Sequence, residues 1–296
     1  MKILHLDSGR EMRGGQWQVL RLHQSLIEGG HESFLLARDG APLLTMAKER
    51  GLPCEVLLWR RVLTLSRSFD LVHAHDAHSH TSAVLLSRQP VVVSRRVAFP
   101  IGTSPISRLK YARPHRYLAV SRYVAGLLID AGIDSGSIDI VYDGVEIPTV
   151  PARGDVFLTP YTADPAKGMA LAEEAAALAE IPLMRSKNLE NDLPRARAML
   201  YLTRAEGLGS GILLAMAHGV AVIASNIGGI PELIEDGVTG ILVQNKPKSI
   251  AEALSHLNPE RCAQIGATAR ELVGNRFMVS HMVKATLNSY QKVLND

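Results

Sequence analysis

Short apolar runs that alternate with helical segments constrain the fold of this chain more than any other feature of its sequence. The segment Gln16–Glu28, for example, carries apolar residues at roughly helical spacing and ends at Gly29-Gly30. Apolar runs between helices are typical of strands buried in a parallel sheet. In the first half the runs are Lys2–Asp7, Ser33–Ala37, Phe69–His73, Val91–Ser94, Tyr117–Val120 and Ile138–Val141. The pattern predicts an α/β protein with a doubly wound parallel sheet.

A segment with two prolines and a glycine, Pro148–Gly154, separates two such alternations. The second half repeats the pattern in predicted strands Val156–Thr159, Ile181–Met184, Ala198–Leu202, Ala221–Ala224 and Gly240–Val243, and helices Met169–Ala179, Ser210–Ala217, Ile230–Ile234 and Ser249–Leu257. With 296 residues, each half is long enough to bury its own core. We expect two Rossmann-like domains, residues 1–150 and 151–296, with the last helix of the tail from Pro259 able to pack back on the first.

Composition narrows the setting in which the chain works. No apolar run reaches the roughly 18 residues of a membrane span, and the opening Met1–Asp7 is a strand start rather than a signal peptide. Cys54 and Cys262 lie far apart without metal-ligand spacing, which is typical of idle or buried thiols in a reducing compartment. These features predict a cytoplasmic protein.

Basic residues are concentrated in the first half. Residues 56–122 contain eleven lysines and arginines but only two carboxylates, Asp70 and Asp76. Such a surface suits an anionic substrate, phosphate groups or the acidic inner face of a membrane, and an ordinary solvated arginine-rich surface explains it equally well. No known nucleic-acid-binding motif is present, so nucleic acid is not an expected partner.

The glycine-rich stretch Glu206–Glu232 carries the most functional information. A carboxylate, Glu206, stands on a glycine loop that leads into the predicted helix Ser210–Ala217, and a second glycine loop, Gly228-Gly229, opens the predicted helix Ile230–Ile234. Two helix N-termini beside one acidic side chain would suit a phosphorylated sugar, because amide N–H groups bind phosphates and a carboxylate binds sugar hydroxyls.

Several motifs, taken together and in order, resemble one known family. They are Gly14-Gly15 before an amphipathic helix, Phe69-Asp-Leu-Val-His-Ala-His-Asp76, Leu118-Ala-Val-Ser121, Ile140-Val-Tyr-Asp-Gly-Val145, Asp164-Pro-Ala-Lys167-Gly168 and Gly228-Gly-Ile-Pro-Glu232. This set is similar to the retaining family 4, or group 1, glycosyltransferases. The resemblance implies the GT-B fold, in which two Rossmann-like domains face a cleft, with the acceptor on the N-terminal side and a nucleotide sugar on the C-terminal side.

The resemblance also implies roles for individual residues. Glu206 would bind hydroxyls of the transferred sugar, and Lys167 would offset the β-phosphate charge of the leaving nucleotide without a metal or other cofactor. An exposed lysine without a role is the alternative for Lys167. The expected donor-binding residues are Gly14, Gly15, Lys167, Glu206, Gly207, Leu208, Gly209, Ser210, Gly228, Gly229 and Ile230.

Polar residues of the first domain are expected on the acceptor side. His75 and Asp76 follow a predicted strand that ends at the cleft, and we assign His75 a catalytic and Asp76 an acceptor-binding role by resemblance. The spacing of His73, His75, His78 and His80 fits no standard ligand set, so no metal site is expected. Arg95 and Arg96 would suit a phosphate or carboxylate of the acceptor, and surface salt bridges explain them equally well.

The chain departs from the family in the nucleotide pocket. Leu214 stands where the family has a second carboxylate that holds the ribose, and Thr162 stands where it has an arginine. The span from Gly168 to Glu206 is short and lacks a strand–helix portion that frames the base. Basic residues nearby could replace the missing cation: Arg185, Lys187, Arg195, Arg197 and Arg204.

The resemblance therefore implies a retaining glycosyltransferase that uses a nucleotide sugar and a glycan or lipid-linked acceptor, in the synthesis of lipopolysaccharide or another surface glycan. A GT-B scaffold that has lost turnover is the alternative favoured by Leu214 and the shortened domain. A nucleotide-sugar epimerase shares the architecture, whereas a dehydrogenase is disfavoured because no Gly-x-Gly-x-x-Gly follows the first strand. The sequence gives no indication of an oligomeric state.

Overall fold

A computed structural model describes residues 1–102 and 104–295. The chain separates into two compact units. The first unit contains residues 1–143 and the C-terminal segment that begins at Val279, and the second contains Gly144–Met278. Within the described residues, no helix combines the length and apolar character that a membrane span requires.

The first unit is built on a seven-stranded sheet in which every pairing is parallel. Its strands are β1 (Lys2–Asp7), β2 (Glu32–Ala37), β3 (Cys54–Val56), β4 (Leu71–Ala74), β5 (Val91–Arg95), β6 (Arg116–Ala119) and β7 (Ile138–Ile140). Their order in the sheet is β3-β2-β1-β4-β5-β6-β7. The chain proceeds outward from β1 in one direction and then from β4 in the other, so the switch in strand order lies between β1 and β4.

Six helices of the first unit connect these strands: α1 (Gly14–Glu28), α2 (Pro42–Glu49), α3 (Trp59–Leu65), α4 (Ala77–Leu86), α5 (Pro105–Tyr111) and α6 (Arg122–Asp130). Local chemistry fixes where they begin. The hydroxyl of Ser121 accepts a hydrogen bond from the amide of Val124 at 3.1 Å and caps α6. Helix α1 buries Leu22 and Leu26 against Ile3 of β1 and Leu71 of β4.

The second unit has a five-stranded parallel sheet with the order β12-β11-β10-β8-β9. Its strands are β8 (Val156–Pro160), β9 (Leu183–Ser186), β10 (Ala196–Tyr201), β11 (Ala221–Ser225) and β12 (Ile241–Val243). Its helices are α7 (Met169–Leu178), α8 (Leu189–Asp192), α9 (Ser210–Ala217), α10 (Pro247–Ser255) and α11 (Pro259–Arg276). Here the switch in strand order lies between β8 and β10.

The helical tail is divided rather than continuous. It breaks at Phe277 and Met278, and the last helix, α12 (Val279–Asn295), belongs to the first unit. Met282 and Tyr290 of α12 pack in one apolar cluster with Ile3 and Leu26. The predicted architecture of two doubly wound parallel sheets is confirmed.

One predicted element is wrong. The segment Ile230–Ile234 is not an α-helix, and only a three-residue 3-10 turn, Ile230–Glu232, forms there. The chain reverses immediately afterwards: the Glu235 amide donates to the Thr239 hydroxyl at 2.9 Å and the Gly237 amide to the Gly240 carbonyl at 2.8 Å. Because this reversal leads directly into β12, there is no room for a second helical turn. Of the two expected α-helix N-termini, only that of α9 exists.

Candidate functional site

The second unit brings Lys167 and Glu206 together at its switch point. Lys167 lies in the connection that follows β8, and Glu206 lies in the connection that follows β10. Because β8 and β10 are parallel neighbours, the two connections leave the same edge of the sheet. Open α/β sheets bind their ligands at this carboxyl edge, where the strand order reverses. Topology alone therefore marks this place as a candidate site.

Three donors hold the carboxylate of Glu206. The ammonium Nζ of Lys167 and the hydroxyl of Tyr201 each lie 2.9 Å from Oε2, and the Gly207 amide donates to Oε1 at 3.1 Å. The Glu206 side chain is 15% exposed and that of Lys167 is 40% exposed. Burial, followed by the charge of Glu206, raises the pKa of Tyr201 well above its usual value, so its hydroxyl remains a donor. The carboxylate is paired in the free protein, as a largely buried charge must be.

Tyr201 is a site residue that sequence reasoning missed. It is the last residue of β10, and ligands bind at the carboxyl ends of strands in such sheets. Its position at the end of a predicted strand is the sequence signal that could have identified it. Gly211, in the first turn of α9, makes room for its ring. A Cβ added at Gly211 would lie 2.9 Å from Cε2 of Tyr201 and 3.4 Å from Cδ1 of Leu189.

Two glycines with positive φ allow the loops of the site to touch each other. Gly168 has φ of +63°, and a Cβ there would lie 2.6 Å from the carbonyl oxygen of Leu202. Gly228 has φ of +57°, and a Cβ there would overlap the carbonyl oxygen of Glu206. Because only glycine combines this conformation with such close approach, the loops carrying Lys167, Glu206 and Gly228 form one assembly.

The predicted donor-binding residues fall into two groups, those whose amides are available to a ligand and those whose amides already have acceptors within the protein. The first amides of α9, at Ser210 and Gly211, have no intrahelical acceptor and lie at the positive end of the helix dipole. The amides of Gly229 and Ile230 already donate to the carbonyls of Glu206 and Ile227, at 3.2 and 3.1 Å. The side chains of Leu208 and Ile230 are buried, so they can offer a ligand only backbone atoms.

Of the basic residues considered as a replacement cation, two lie at the carboxyl edge. Lys187 follows β9, and the exposed Arg204 donates its amide to the carbonyl of Ala166 at 2.8 Å, next to Lys167. Arg195 and Arg197 lie at the opposite end of the sheet, where β10 begins. Arg185 forms an ion pair with Glu173 of α7.

In the first unit, the switch point between β1 and β4 contains Asp76. Its carboxylate accepts hydrogen bonds from the amides of His78 and Ser79 and so caps α4. It also accepts from the amide and hydroxyl of Ser8, both at 2.6 Å. Burial alone would raise the pKa of Asp76, but the hydrogen bonds from Ser79 and Ser8 outweigh it and hold the pKa below its usual value. Asp76 therefore joins β1 to α4, and its predicted contact with an acceptor stays a prediction.

His75 belongs to a buried cluster that includes a residue missed by the sequence analysis, His5 of β1. Nδ1 of His5 lies 2.9 Å from Nε2 of His75, and the rings of His73 and His75 lie 3.9 Å apart. His73 is hydrogen-bonded to the hydroxyls of Tyr290 at 2.6 Å and Ser94 at 2.8 Å. Burial lowers the pKa of His5, His73 and His75 well below the usual value, so all three are neutral at pH 7.

These three histidines are the only group of potential metal ligands found among the described residues, with ring nitrogens within 4.8 Å of one another. Both nitrogens of His73 already have hydroxyl partners, and a guanidinium nitrogen of Arg96 lies 3.5 Å from Nδ1 of His75. A fixed positive charge beside the cluster opposes a cation. The arrangement is that of a neutral hydrogen-bonded network that orients His75.

The two predicted acceptor arginines have different surroundings. Arg96 pairs with Asp143 at 3.1 Å and lies against Gly15, whose added Cβ would be 3.7 Å from Cδ of Arg96. Arg95 donates to the Tyr111 hydroxyl at 2.9 Å and to the Phe99 carbonyl. The structure therefore brings Arg96 together with His75 and with Gly15 at the start of α1, while Arg95 is directed toward α5.

Two profiles of known protein families together match most of the chain. A family profile described as "Glycosyltransferase Family 4" matches residues 12–147, and one described as "Glycosyl transferases group 1" matches residues 147–258. The alpha-maltose-1-phosphate synthase of Mycolicibacterium smegmatis is 39% identical over 97 residues, which are 30% of this chain and 25% of that protein. The match thus spans about a quarter of the relative's length.

Solved structures share the fold over the whole chain. Anabaena Alr3699/HepE, in complex with UDP and glucose, matches with a TM-score of 0.84 at 16% identity, over 99% of this chain and 100% of that one. The apo form of WaaB, a lipopolysaccharide outer core galactosyltransferase, matches with a TM-score of 0.70 at 17% identity, over 99% of each chain. At these identities the likeness shows a common GT-B architecture.

Proposed function

The chain belongs to the group 1, family 4 glycosyltransferases, and we propose that it transfers a sugar from a nucleotide diphosphate sugar to a hydroxyl group of an acceptor. The observation that carries the proposal is the Lys167–Glu206 pair at the switch point of the second unit, with Nζ and Oε2 2.9 Å apart. A cation for a phosphate and a carboxylate for sugar hydroxyls stand side by side at the edge where such sheets bind ligands.

The contacts of Lys167 and Glu206 suggest how the donor would be bound. A diphosphate would draw Lys167 away from Glu206, because a doubly charged group competes well for an ammonium that is 40% exposed. The α9 amides of Ser210 and Gly211 would bind phosphate oxygens. Glu206 would then accept hydrogen bonds from the sugar while Tyr201 still donates to Oε2. Lys167 would stabilise the negative charge that develops on the leaving diphosphate.

The short second unit is compatible with a nucleotide sugar. Alr3699/HepE matches this chain over 99% and 100% of the two lengths, and it was solved with UDP and glucose. A compact GT-B chain can therefore hold a uridine diphosphate without a longer C-terminal domain. This supports the proposed donor class despite Leu214, which is half-buried on α9 and offers no carboxylate to a ribose.

The stereochemistry of transfer and the identity of the acceptor are proposed by analogy with the family. We propose retention of configuration at the transferred sugar and an acceptor in a surface glycan such as lipopolysaccharide. The polar edge of the first unit, with His75 and Arg96, would bind the acceptor. The neutral imidazole of His75 can donate or accept a hydrogen bond there without adding charge.

A lipid-linked acceptor would require contact with a membrane, and α5 carries suitable residues. This helix has no buried residue, and Phe99 before it, Ile106 and Leu109 are 64%, 82% and 66% exposed. Arg108 and Lys110 lie on the same helix, so apolar and cationic groups are combined as in surfaces that bind anionic lipids.

Vesicle sedimentation tests this contact. The I106N/L109N variant should lose binding to vesicles that contain anionic lipid, because its exposed apolar area is removed. L178N is the matched control, since Leu178 is 56% exposed on α7 of the second unit. Equal sedimentation of wild type and I106N/L109N would exclude α5 as the contact.

The activity itself is tested without knowledge of the acceptor. Thermal stabilisation by UDP-, GDP- and ADP-sugars identifies the donor, and release of nucleoside diphosphate in the presence of candidate acceptors measures turnover. Glu206→Ala and Lys167→Ala should each reduce turnover by about 10²-fold or more, whereas Lys248→Ala, which changes an exposed lysine of α10, should not. If no nucleotide bound at millimolar concentration, the scaffold alternative would replace the enzyme.

A further inference from the structure

We propose that Tyr161 and Lys187 form the platform that holds the nucleotide base of the donor, in place of the strand–helix segment that this chain lacks. The inference rests on the proposed function, since it assigns a subsite of the same donor pocket. Tyr161 occupies the position that precedes Thr162, in the loop that joins β8 to Lys167. Neither residue was assigned a base-binding role from the sequence.

The geometry of the pair is that of a stacking surface. The Tyr161 side chain is 48% exposed, and Nζ of Lys187 lies 5.4 Å from the centre of its ring. A large aromatic side chain held in solvent at a sheet edge is available to a planar ligand. Stacking on an aromatic ring is open to every base, because every base has a π face, and a nearby ammonium adds a donor for base carbonyl oxygens.

The backbone beneath the pair is fixed. The Tyr161 amide donates to the carbonyl of Ser186 at 2.7 Å, and Pro160 pairs with Ser186 across β8 and β9. The Ser186 hydroxyl donates to the Asp192 carboxylate at 2.7 Å, and the Asn188 side chain caps α8. The ring and the ammonium therefore extend from two hydrogen-bonded strand ends, not from a free loop.

Contacts connect this platform to the Lys167–Glu206 pair. Leu189 follows Lys187 by two residues and contacts the position of Gly211 in the first turn of α9. Tyr201 also contacts the position of Gly211, and its hydroxyl donates to Glu206. Tyr161 itself begins the loop that ends at Lys167. The platform thus lies on the same carboxyl edge as the phosphate and sugar contacts, on the side of β9.

Strand order explains why a base would be bound on this side. In the sheet, β9 is the edge strand beyond β8, and no further strand of the described residues covers it. A nucleoside diphosphate that places its β-phosphate at Lys167 and its sugar at Glu206 can extend along this edge past β8. Leu214 offers no ribose carboxylate, so stacking at Tyr161 would be the main source of nucleoside affinity.

The test compares the binding of nucleoside diphosphates, which carry a base, with that of inorganic pyrophosphate, which has none. Calorimetric titration is carried out on the full chain with UDP, GDP, ADP and inorganic pyrophosphate, for wild type, Tyr161→Phe and Tyr161→Leu. Tyr161→Leu should weaken the preferred nucleotide roughly five- to hundredfold and leave pyrophosphate unchanged, because only the stacking interaction is lost. Tyr161→Phe keeps the ring and should bind nucleotides as wild type does. Lys187→Met should weaken the nucleotide severalfold, with a reduced dependence on salt.

Distinct outcomes separate this inference from the proposed function. Unchanged nucleotide affinity in Tyr161→Leu, or an equal loss for pyrophosphate and nucleotide, would overturn the platform while leaving the donor site in place. Failure of the wild type to bind any nucleotide would overturn the proposed function and the platform together. Circular dichroism of each variant confirms that the exposed substitution leaves the fold intact.

Discussion

The carboxyl edges of the two sheets have opposite chemistry. In the first unit, the switch point is lined by buried imidazoles that hydrogen-bond to one another, such as His5 and His75, and by the Asp76 carboxylate, which accepts from Ser8. In the second unit, it is lined by glycine loops, one ion pair and exposed cations. The polar groups of the first edge are held by hydrogen bonds within the protein. The second edge has a charged pair, Lys167 and Glu206, which the proposed donor would separate.

Low pH should destabilise the first unit much more than the second, and this is the largest expected effect. Five buried histidines of the first unit have lowered pKa values because burial disfavours the imidazolium: His5, His23, His73, His75 and His80, with His23 at about 4 and His80 at about 3. The unfolded chain therefore binds more protons below pH 6.5. The stability they contribute is present above that pH and is lost as the pH falls, by about 1.4 kcal/mol per unit for each group.

Hydrogen exchange measures the stability of each unit separately, because peptides from the two units are followed individually at pH 7.5 and pH 5.5. The sheet of the first unit should lose protection by several kcal/mol at the lower pH, while that of the second changes little. His256→Gln, an exposed site in the second unit, is the control and should alter neither. Equal loss in both units would show that the contrast between the two edges has no energetic consequence.

Removing the cation of the second edge should have the next largest effect. Lys167→Ala is expected to reduce turnover about 10²- to 10³-fold, the usual cost of one electrostatic contact to a developing charge. Folding should be little affected, because a partly exposed ion pair contributes less than about 1 kcal/mol. Rates of nucleotide release and a urea denaturation curve measure the two quantities. A large loss of stability with little loss of turnover would mean that the pair is a structural ion pair.

The hydroxyl of Tyr201 should contribute less, because it acts through Glu206. Tyr201→Phe removes one of the three donors to that carboxylate while the ring still fills the space beside Gly211. A hydrogen bond to a charged group is worth about 1.5–3 kcal/mol, so kcat should fall roughly ten- to hundredfold. The KM for the donor should change less, since phosphate contacts are untouched. If kcat were unchanged, Glu206 would not depend on Tyr201 for its position.

Sequence and structure agree where local pattern decides the result. Strands such as Lys2–Asp7 and helix Ser210–Ala217 are predicted because periodicity and end signals act within a few residues. Lys167 and Glu206 are predicted as parts of one donor site only through the family resemblance, and their ion pair is not predicted, since no spacing rule joins residues 39 positions apart.

What the sequence could not supply depends on contacts between distant segments. His5 is one histidine on a strand, and its partner His75 lies 70 positions away. Arg197 is close to Glu206 in sequence, yet it lies at the other end of β10, because a strand carries the chain about 3.3 Å per residue away from the site. The predicted helix at Ile230–Ile234 fails because periodicity does not register the reversal that follows.

The smallest expected effect concerns Asp7, the group on the first edge whose pH dependence opposes that of the histidines. Burial, and then the charge of Asp76, raise its pKa to about 6. A carboxyl group with a raised pKa contributes stability below its unfolded pKa of about 3.9, and this stability is lost as the pH rises through 6. Asp7→Asn should therefore raise the free energy of unfolding by about 1 kcal/mol at pH 8, a figure that allows for a weaker hydrogen bond from Gln16. At pH 4.5 the variant should have no such stabilising effect.

Urea denaturation of the Asp7→Asn variant at these two pH values gives the difference directly. Asp130→Asn, an exposed carboxylate on α6, is the matched control and should have the same small effect at both. A destabilised Asp7→Asn at pH 8 would mean that the ionised carboxylate is needed by the Gly9 amide and Gln16, which both donate to it. In that case the first edge would also depend on a charged group, and the contrast between the two edges would rest on the histidines of the first unit alone.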